Sequence, residues 1–240
     1  MARGERIRQL EGSHRYGLVL VLIILPIAFS LAAPPDEPWA RALTVLLFAV
    51  AILVSLVVAH AERRMQLVAL VLLTVVAISA VVDAIVGSSV SAGVTRGVLG
   101  FLIALAPFAL ARGVIRHLRA ERTVTLDAVY GAIAIYLLIG AFFATIDAAI
   151  GQLGSDPFFT QTGNPGFEQY MYFSYVTLAT VGYGDFTPAT SLARALSVTE
   201  ALSGQLYLVT IVAVLVSNVG RRRAGDASDD VSEDEARPLG

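Results

Sequence analysis

Six stretches of this 240-residue chain are apolar over about the length that crosses a hydrocarbon core, roughly 20 residues. They cover residues 16–33, 39–59, 66–86, 98–111, 126–150 and 192–219. The fourth reaches spanning length when its flanks from Val94 to Ile115 are included. In lipid every backbone N–H and C=O has to be satisfied inside the protein, so runs of this kind fold as helices. The composition agrees: 56% of residues are hydrophobic and 15% charged, against about 45–50% and 25% in soluble domains. Cysteine is absent, which excludes disulfides, thiolate chemistry and cysteine metal sites.

Arginine orients the spans. All 17 basic residues are arginine, and fourteen of them fall at the N-terminus, after spans two and four, and in the C-terminal tail. Arg3, Arg6, Arg8 and Arg15 begin the series, Arg63 and Arg64 continue it, and Arg112, Arg116, Arg119 and Arg122 come after the fourth span. Arg221, Arg222, Arg223 and Arg237 close it. Only Arg41, Arg96 and Arg194 lie on the opposite side, together with Asp36, Glu37, Asp156 and Glu168. Both termini are therefore expected in the cytoplasm of a multi-pass protein of the plasma membrane. A cleavable signal peptide is not expected, because no small-residue cleavage site leads from the first run into a soluble domain.

The connection between spans five and six, residues 151–191, does not read as a simple loop. Its first half is polar and turn-rich, "GQLGSDPFFTQTGNPG". Its second half, "FEQYMYFSYVTLA", is apolar and aromatic but, at roughly 20 Å of helix, covers only half a membrane. The chain then returns through "TVGYGDFTP". Irregular backbone at membrane depth is tolerated where protein buries it or where it lines a water-filled path. A re-entrant half-helix over 167–179 and an extended return therefore predict a pore.

The returning segment explains its own glycines. A cation entering a narrow pore loses its hydration shell, and a column of inward-pointing carbonyls can replace that water. An ordinary strand alternates its carbonyls from side to side. Pointing them the same way requires alternating right- and left-handed backbone, and glycine adopts the left-handed region without steric cost. Gly182 and Gly184 occupy alternate positions in Thr180-Val181-Gly182-Tyr183-Gly184-Asp185. Val181 and Tyr183 are expected to turn outward onto the half-helix aromatics. The C-terminal dipole end of the half-helix favours a cation in the cavity below.

At these residues the chain resembles the six-transmembrane tetrameric potassium channels of prokaryotic type. The resemblance is close over residues 167–188 and looser over spans five and six. It implies an all-α membrane protein of six transmembrane helices, with a re-entrant pore helix and selectivity filter between helices five and six. It further implies K+ coordination at Thr180, Val181, Gly182 and Tyr183. Gly184 and Asp185 then close the outer mouth, and Thr177 matches the pore-helix threonine of the family. Two positions depart from the commonest family pattern. Val176 stands where some members carry an acid, and Phe173 where many carry a tryptophan. Both are read as filter supports, and Asp185 is expected to lack the hydrogen-bond partners usual behind the filter.

Span six reads as the inner, pore-lining helix. Ser203 and Gly204 near its middle admit two readings, a gating hinge suggested by the resemblance or close helix packing; the hinge is the favoured reading. Glu200 is the one acid within the span, and an intramembrane carboxylate is costly. It can face the cavity, bond to pore-helix hydroxyls such as Thr177, or sit protonated without a specific task; the structural bond is the favoured reading.

Voltage sensing needs several charges inside the membrane field, yet residues 97–111 carry none. Arg112, Arg116, Arg119 and Arg122 begin where the fourth span ends, as snorkelling, orienting residues do. Asp83 is the only acid within the first four spans, and Pro107 is expected to kink the fourth. Weak or absent voltage dependence is therefore expected.

The chain divides into a cytoplasmic N-terminus (1–15), a four-helix domain resembling a voltage sensor without its charges (16–122), a pore domain (123–220) and a disordered cytoplasmic tail (221–240). That tail is too short for a ligand-sensing domain of about 100 residues. One pore loop cannot enclose an axis, so a homotetramer in contact with membrane lipids is expected. Neither a nucleic-acid partner nor a small-molecule substrate is expected, and no cofactor beyond the transported K+. An enzyme is not expected: His14, His60 and His117 are isolated at membrane edges, and no catalytic constellation accompanies them. A non-selective cation channel and a non-conducting regulatory subunit are the alternatives.

Overall fold

The computed structural model describes residues 15–34, 37–58, isolated helical positions between 67 and 78, residues 126–154, 156–161 and 165–235, with side chains up to Val214. The third and fourth spans beyond those positions, Asp83, Pro107, the three histidines and Arg112 to Arg122 lie outside the described residues.

Among the described residues, five helices succeed one another along the chain. They are α1 (Arg15–Ala32), α2 (Pro38–Val58), α3 (Leu126–Leu153), the short α4 (Phe167–Leu178) and the 45-residue α5 (Ser191–Glu235). Their starts agree with the apolar runs to within a residue. In α1 the buried Tyr16, Val19, Ile23 and Ile27 recur at steps of three and four and form one stripe. That stripe packs against Phe48, Ile52 and Leu56 of α2 and against Ala134, Leu138 and Ala141 of α3. α1 thus bridges α2 to the helices after residue 126, touching both α3 and α4, while α4 packs between α3 and α5.

Hydroxyls buried in these apolar helices bond to their own helix. Thr44 Oγ1 donates to Ala40 O at 2.9 Å, Ser55 Oγ to Ala51 O at 2.6 Å and Thr145 Oγ1 to Ala141 O at 2.7 Å. This satisfies a hydroxyl where water is scarce. Two helices are long and apolar enough to cross a membrane among the described residues: 126–152, with mean hydropathy 2.2, and 191–214, with mean hydropathy 1.4. α1 and α2 are apolar over shorter stretches.

α5 differs from expectation at its far end. Disorder is expected from 221, whereas the helix runs on to Glu235. Residues 221–235 contain no proline and a single glycine. Polarity denies this segment a buried face, but it does not deny the backbone its helical hydrogen bonds.

Candidate functional site

The re-entrant segment is built on α4. Gln169 Oε1 accepts from Gly166 N at 2.5 Å and caps its start. Its C-terminus is where the chain turns back. Thr180 N donates to Thr177 O at 2.9 Å, and Val181 N donates to Val176 O at 2.9 Å. With Ala179 as C-cap, these two bonds form a Schellman motif, and Thr180 takes the position after the cap that glycine normally fills. Thr180 accordingly has φ +56°. Leu178 O accepts from the Tyr136 hydroxyl of α3 at 3.1 Å. The terminal carbonyls of α4 are therefore bonded by the chain that reverses over them and by α3.

From Thr180 the backbone alternates. Thr180, Gly182 and Gly184 are left-handed, with φ of +56°, +55° and +80°. Every second residue is thus reversed, as carbonyl alignment requires. The sequence marks two of these positions with glycine; the third is a β-branched threonine, for which positive φ is a true outlier. A left-handed L-residue costs about 1–2 kcal/mol, and here the Schellman bonds hold it.

Side chains do not match the expected plan throughout. Val181 is 51% exposed and Tyr183 70% exposed in the single chain, so neither side chain is enclosed by its own chain. Tyr183 stacks on Tyr172, with ring centroids 6.4 Å apart and 9° between planes. Asp185 has partners other than the two usual behind the filter: the Tyr172 hydroxyl donates to Asp185 Oδ2 at 2.8 Å, and Phe186 N donates to Oδ1 at 3.1 Å. The donor sits one position before Phe173, so a pattern anchored on Phe173 misses it. Phe173 is instead buried among Phe158 and Phe159, at centroid distances of 6.0 and 5.0 Å. Val176 contributes its carbonyl, which also accepts from Gly182 N at 3.3 Å.

Glu200 lies fully buried between α5 and α4. The hydroxyl it meets is Ser174, not Thr177. The Ser174 hydroxyl also lies 2.7 Å from Gly140 O of α3, so one serine joins three helices. The reason is register: Ser174 is on the buried face of α4, whereas Thr177 is only partly buried. Gly204, one turn further along α5, is also buried. A Cβ there would stand 2.7 Å from Leu178 O and 2.8 Å from Leu178 Cδ1. Close packing therefore accounts for this glycine by itself. Ser203 donates back to Thr199 O at 2.7 Å.

Three residues escape a reading of the sequence. Gln205 Nε2 lies 3.4 Å from Thr180 Oγ1, at the inner end of the left-handed segment. Tyr207 donates to Ala132 O at 2.7 Å and stacks on Tyr136 at 6.1 Å, tying α5 to α3. Asp147 of α3 is fully buried, and neither carboxyl oxygen has a hydrogen-bond partner among the described residues. An acid within the fifth apolar run is a visible signal for it. No group of three or more His, Cys, Asp or Glu that could hold a metal occurs among the described residues.

Comparison with known proteins bears on the same region. Residues 131–221 match the sequence profile of a family described as "Ion channel". Over 92 residues, 38% of this chain, the sequence is 34% identical to the inward rectifier potassium channel Kirbac3.1 of Paramagnetospirillum magnetotacticum. The match spans 29% of that protein's length. The matched profile opens inside α3, includes α4 and the left-handed segment, and ends in α5. An ion-channel pattern thus coincides with the part of the chain that holds the strained return.

Proposed function

We propose that the chain forms a homotetrameric, potassium-selective channel of the six-transmembrane type. K+ passes passively along the backbone carbonyls of Thr180, Val181, Gly182 and Tyr183. The observation that carries this reading is the left-handed backbone at Thr180, Gly182 and Gly184. Alternation of this kind turns successive carbonyls to one side, where they can replace an ion's hydration shell.

Several features support the reading without carrying it. The exposed 180–185 segment has the surface that three further copies would cover around an axis. The α4 C-terminus directs its dipole toward the inner end of the segment. The partial relative is itself a potassium channel. The ion is cargo and not a resident cofactor. Plasma-membrane location with cytoplasmic termini, and weak or no voltage dependence, complete the proposal.

The test is a reversal potential in planar bilayers holding the purified protein, with potassium on one side and sodium on the other. A reversal near the potassium equilibrium potential is expected. A reversal near zero would replace the reading with a non-selective cation channel, and absence of current with a non-conducting subunit. A steep conductance–voltage curve would overturn the voltage part alone.

A further inference from the structure

We propose that residues 158–161 form a clamp on the exit of the candidate filter, with Gln161 as the positioning residue that holds its outer mouth in shape. The proposal rests on the filter reading above.

The inner end of the left-handed segment is pinned by amides of Thr180, Val181 and Gly182 bonded to α4 carbonyls. The outer end meets α4 through Tyr172, which stacks on Tyr183 and lies edge-on to Phe186. Beyond Gly182 the fixed points are the Tyr172–Asp185 bond and residues 187–189. Residues 187–189 are held from outside by a segment that arrives from the end of α3. Thr160 N donates to Thr187 O at 2.9 Å, and Ala189 N donates to Phe158 O at 2.8 Å. These bonds flank an antiparallel bridge between Phe159 and Pro188. Phe159 and Pro188 are a non-hydrogen-bonded pair, so the N–H that Pro188 lacks is not needed by the pairing.

Gln161 extends the pairing at Thr187, on the side facing the filter. Its Oε1 accepts from Thr187 N at 2.9 Å, while its Nε2 donates to Thr187 Oγ1 at 2.8 Å. One carboxamide thus occupies the backbone amide and the hydroxyl of the same residue, as a neighbouring strand would. Thr160 Oγ1 and Thr187 Oγ1 are 2.6 Å apart. The clamp is itself anchored: Phe158 and Phe159 are buried against Tyr170 and Phe173 of α4, and Phe159 meets Phe186 at 5.2 Å. Behind the bridge, Arg194 donates to Pro188 O and Ala189 O, both at 3.3 Å. The exit of the filter is therefore fixed to α4 through the clamp and to α5 through Arg194. Within the clamp, Gln161 is the side chain that holds the backbone amide of Thr187, two residues beyond Asp185.

Two measurements test this on the full chain. The first is amide hydrogen exchange of the peptide containing Thr187 in detergent. Gln161→Ala is expected to raise its rate roughly tenfold, the scale of one or two net hydrogen bonds. Gln161→Glu keeps an acceptor for Thr187 N–H and should restore much of the protection. Gln161→Met fills the same volume and should not. The second is current decay during sustained conduction. Gln161→Ala should speed decay several-fold when external potassium is low, with high external potassium slowing it again and the initial reversal potential unchanged. Thr187→Val, a milder variant, should shift both readouts in the same direction by less. Exchange unchanged in Gln161→Ala, or protection rescued by Met and not by Glu, would overturn the clamp. Faster exchange with unaltered current decay would overturn its link to the mouth. Because exchange needs no current, it judges the clamp even if the chain proves non-selective or silent, outcomes that count only against the filter reading.

Discussion

The two ends of α4 and its return are held in contrasting ways. At the base, Ser174, Glu200 and Gly140 meet in a buried contact of three helices, Tyr136 and Tyr207 reach across to backbone carbonyls, and Gly204 lets α5 approach Leu178. Each support is buried or nearly so. In the return, residues 180–185 are exposed in the single chain, and a Cβ at Gly182 or Gly184 would meet nothing within 4 Å. Strained backbone survives where its surroundings over-determine it. Here the over-determination lies at the base and at the exit, and the stretch between is largely free of packing within its own chain. A stiff frame carries a segment whose conformation, more than its packing, is the functional feature.

The sharpest way to break that contrast is Gly182→Ala. Space is available for the methyl, so only the left-handed backbone resists, at about 1–2 kcal/mol per chain. In the proposed tetramer this cost falls on four copies and should lower potassium flux into liposomes by roughly a hundredfold or more, while unfolding stability in detergent falls by no more than about 1–2 kcal/mol per chain. Ser174→Ala should behave in the opposite way. It strips a partner from both Glu200 and Gly140 O, and a loss of about 2–4 kcal/mol in unfolding stability is expected; Glu200→Gln, which keeps shape and hydrogen bonding, should lose about 1 kcal/mol or less. Gly204→Ala tests the same frame by overpacking against a backbone carbonyl. A cost of about 1–3 kcal/mol is expected, and normal stability would return this glycine to the hinge reading. The smallest effect belongs to Tyr172→Phe, which removes one exposed bond to Asp185. Stability should move little, with a change in current decay as the visible consequence.

The sequence discloses the frame better than its joints. Helix starts can be read from hydrophobic runs, because in lipid a run of sufficient length has one secondary structure open to it. The left-handed positions at Gly182 and Gly184 are legible because glycine marks them. Thr180 is not, because its conformation is imposed by the helix end that precedes it; only the geometry of a Schellman motif reveals it. The same holds for partner choice. That Glu200 seeks a pore-helix hydroxyl can be argued from the cost of a buried acid, but Ser174 and Thr177 are separated by less than one turn, and rotation of α4 decides between them. Tyr172 and Gln161 lie beyond periodicity altogether. Both act across the return of the chain, at separations of 13 and 26 residues.

α5 carries one further consequence. It contacts the end of α4 at Gly204 and continues as a helix to Glu235. At 1.5 Å per residue that arm is roughly 46 Å long, so a tilt of about 10° around the Leu178 contact displaces its far end by roughly 8 Å. The proportion runs both ways. A modest force applied at the acidic end, by a binding partner or by repulsion among neighbouring arms, reaches the region beneath Thr180 magnified by the length of the lever.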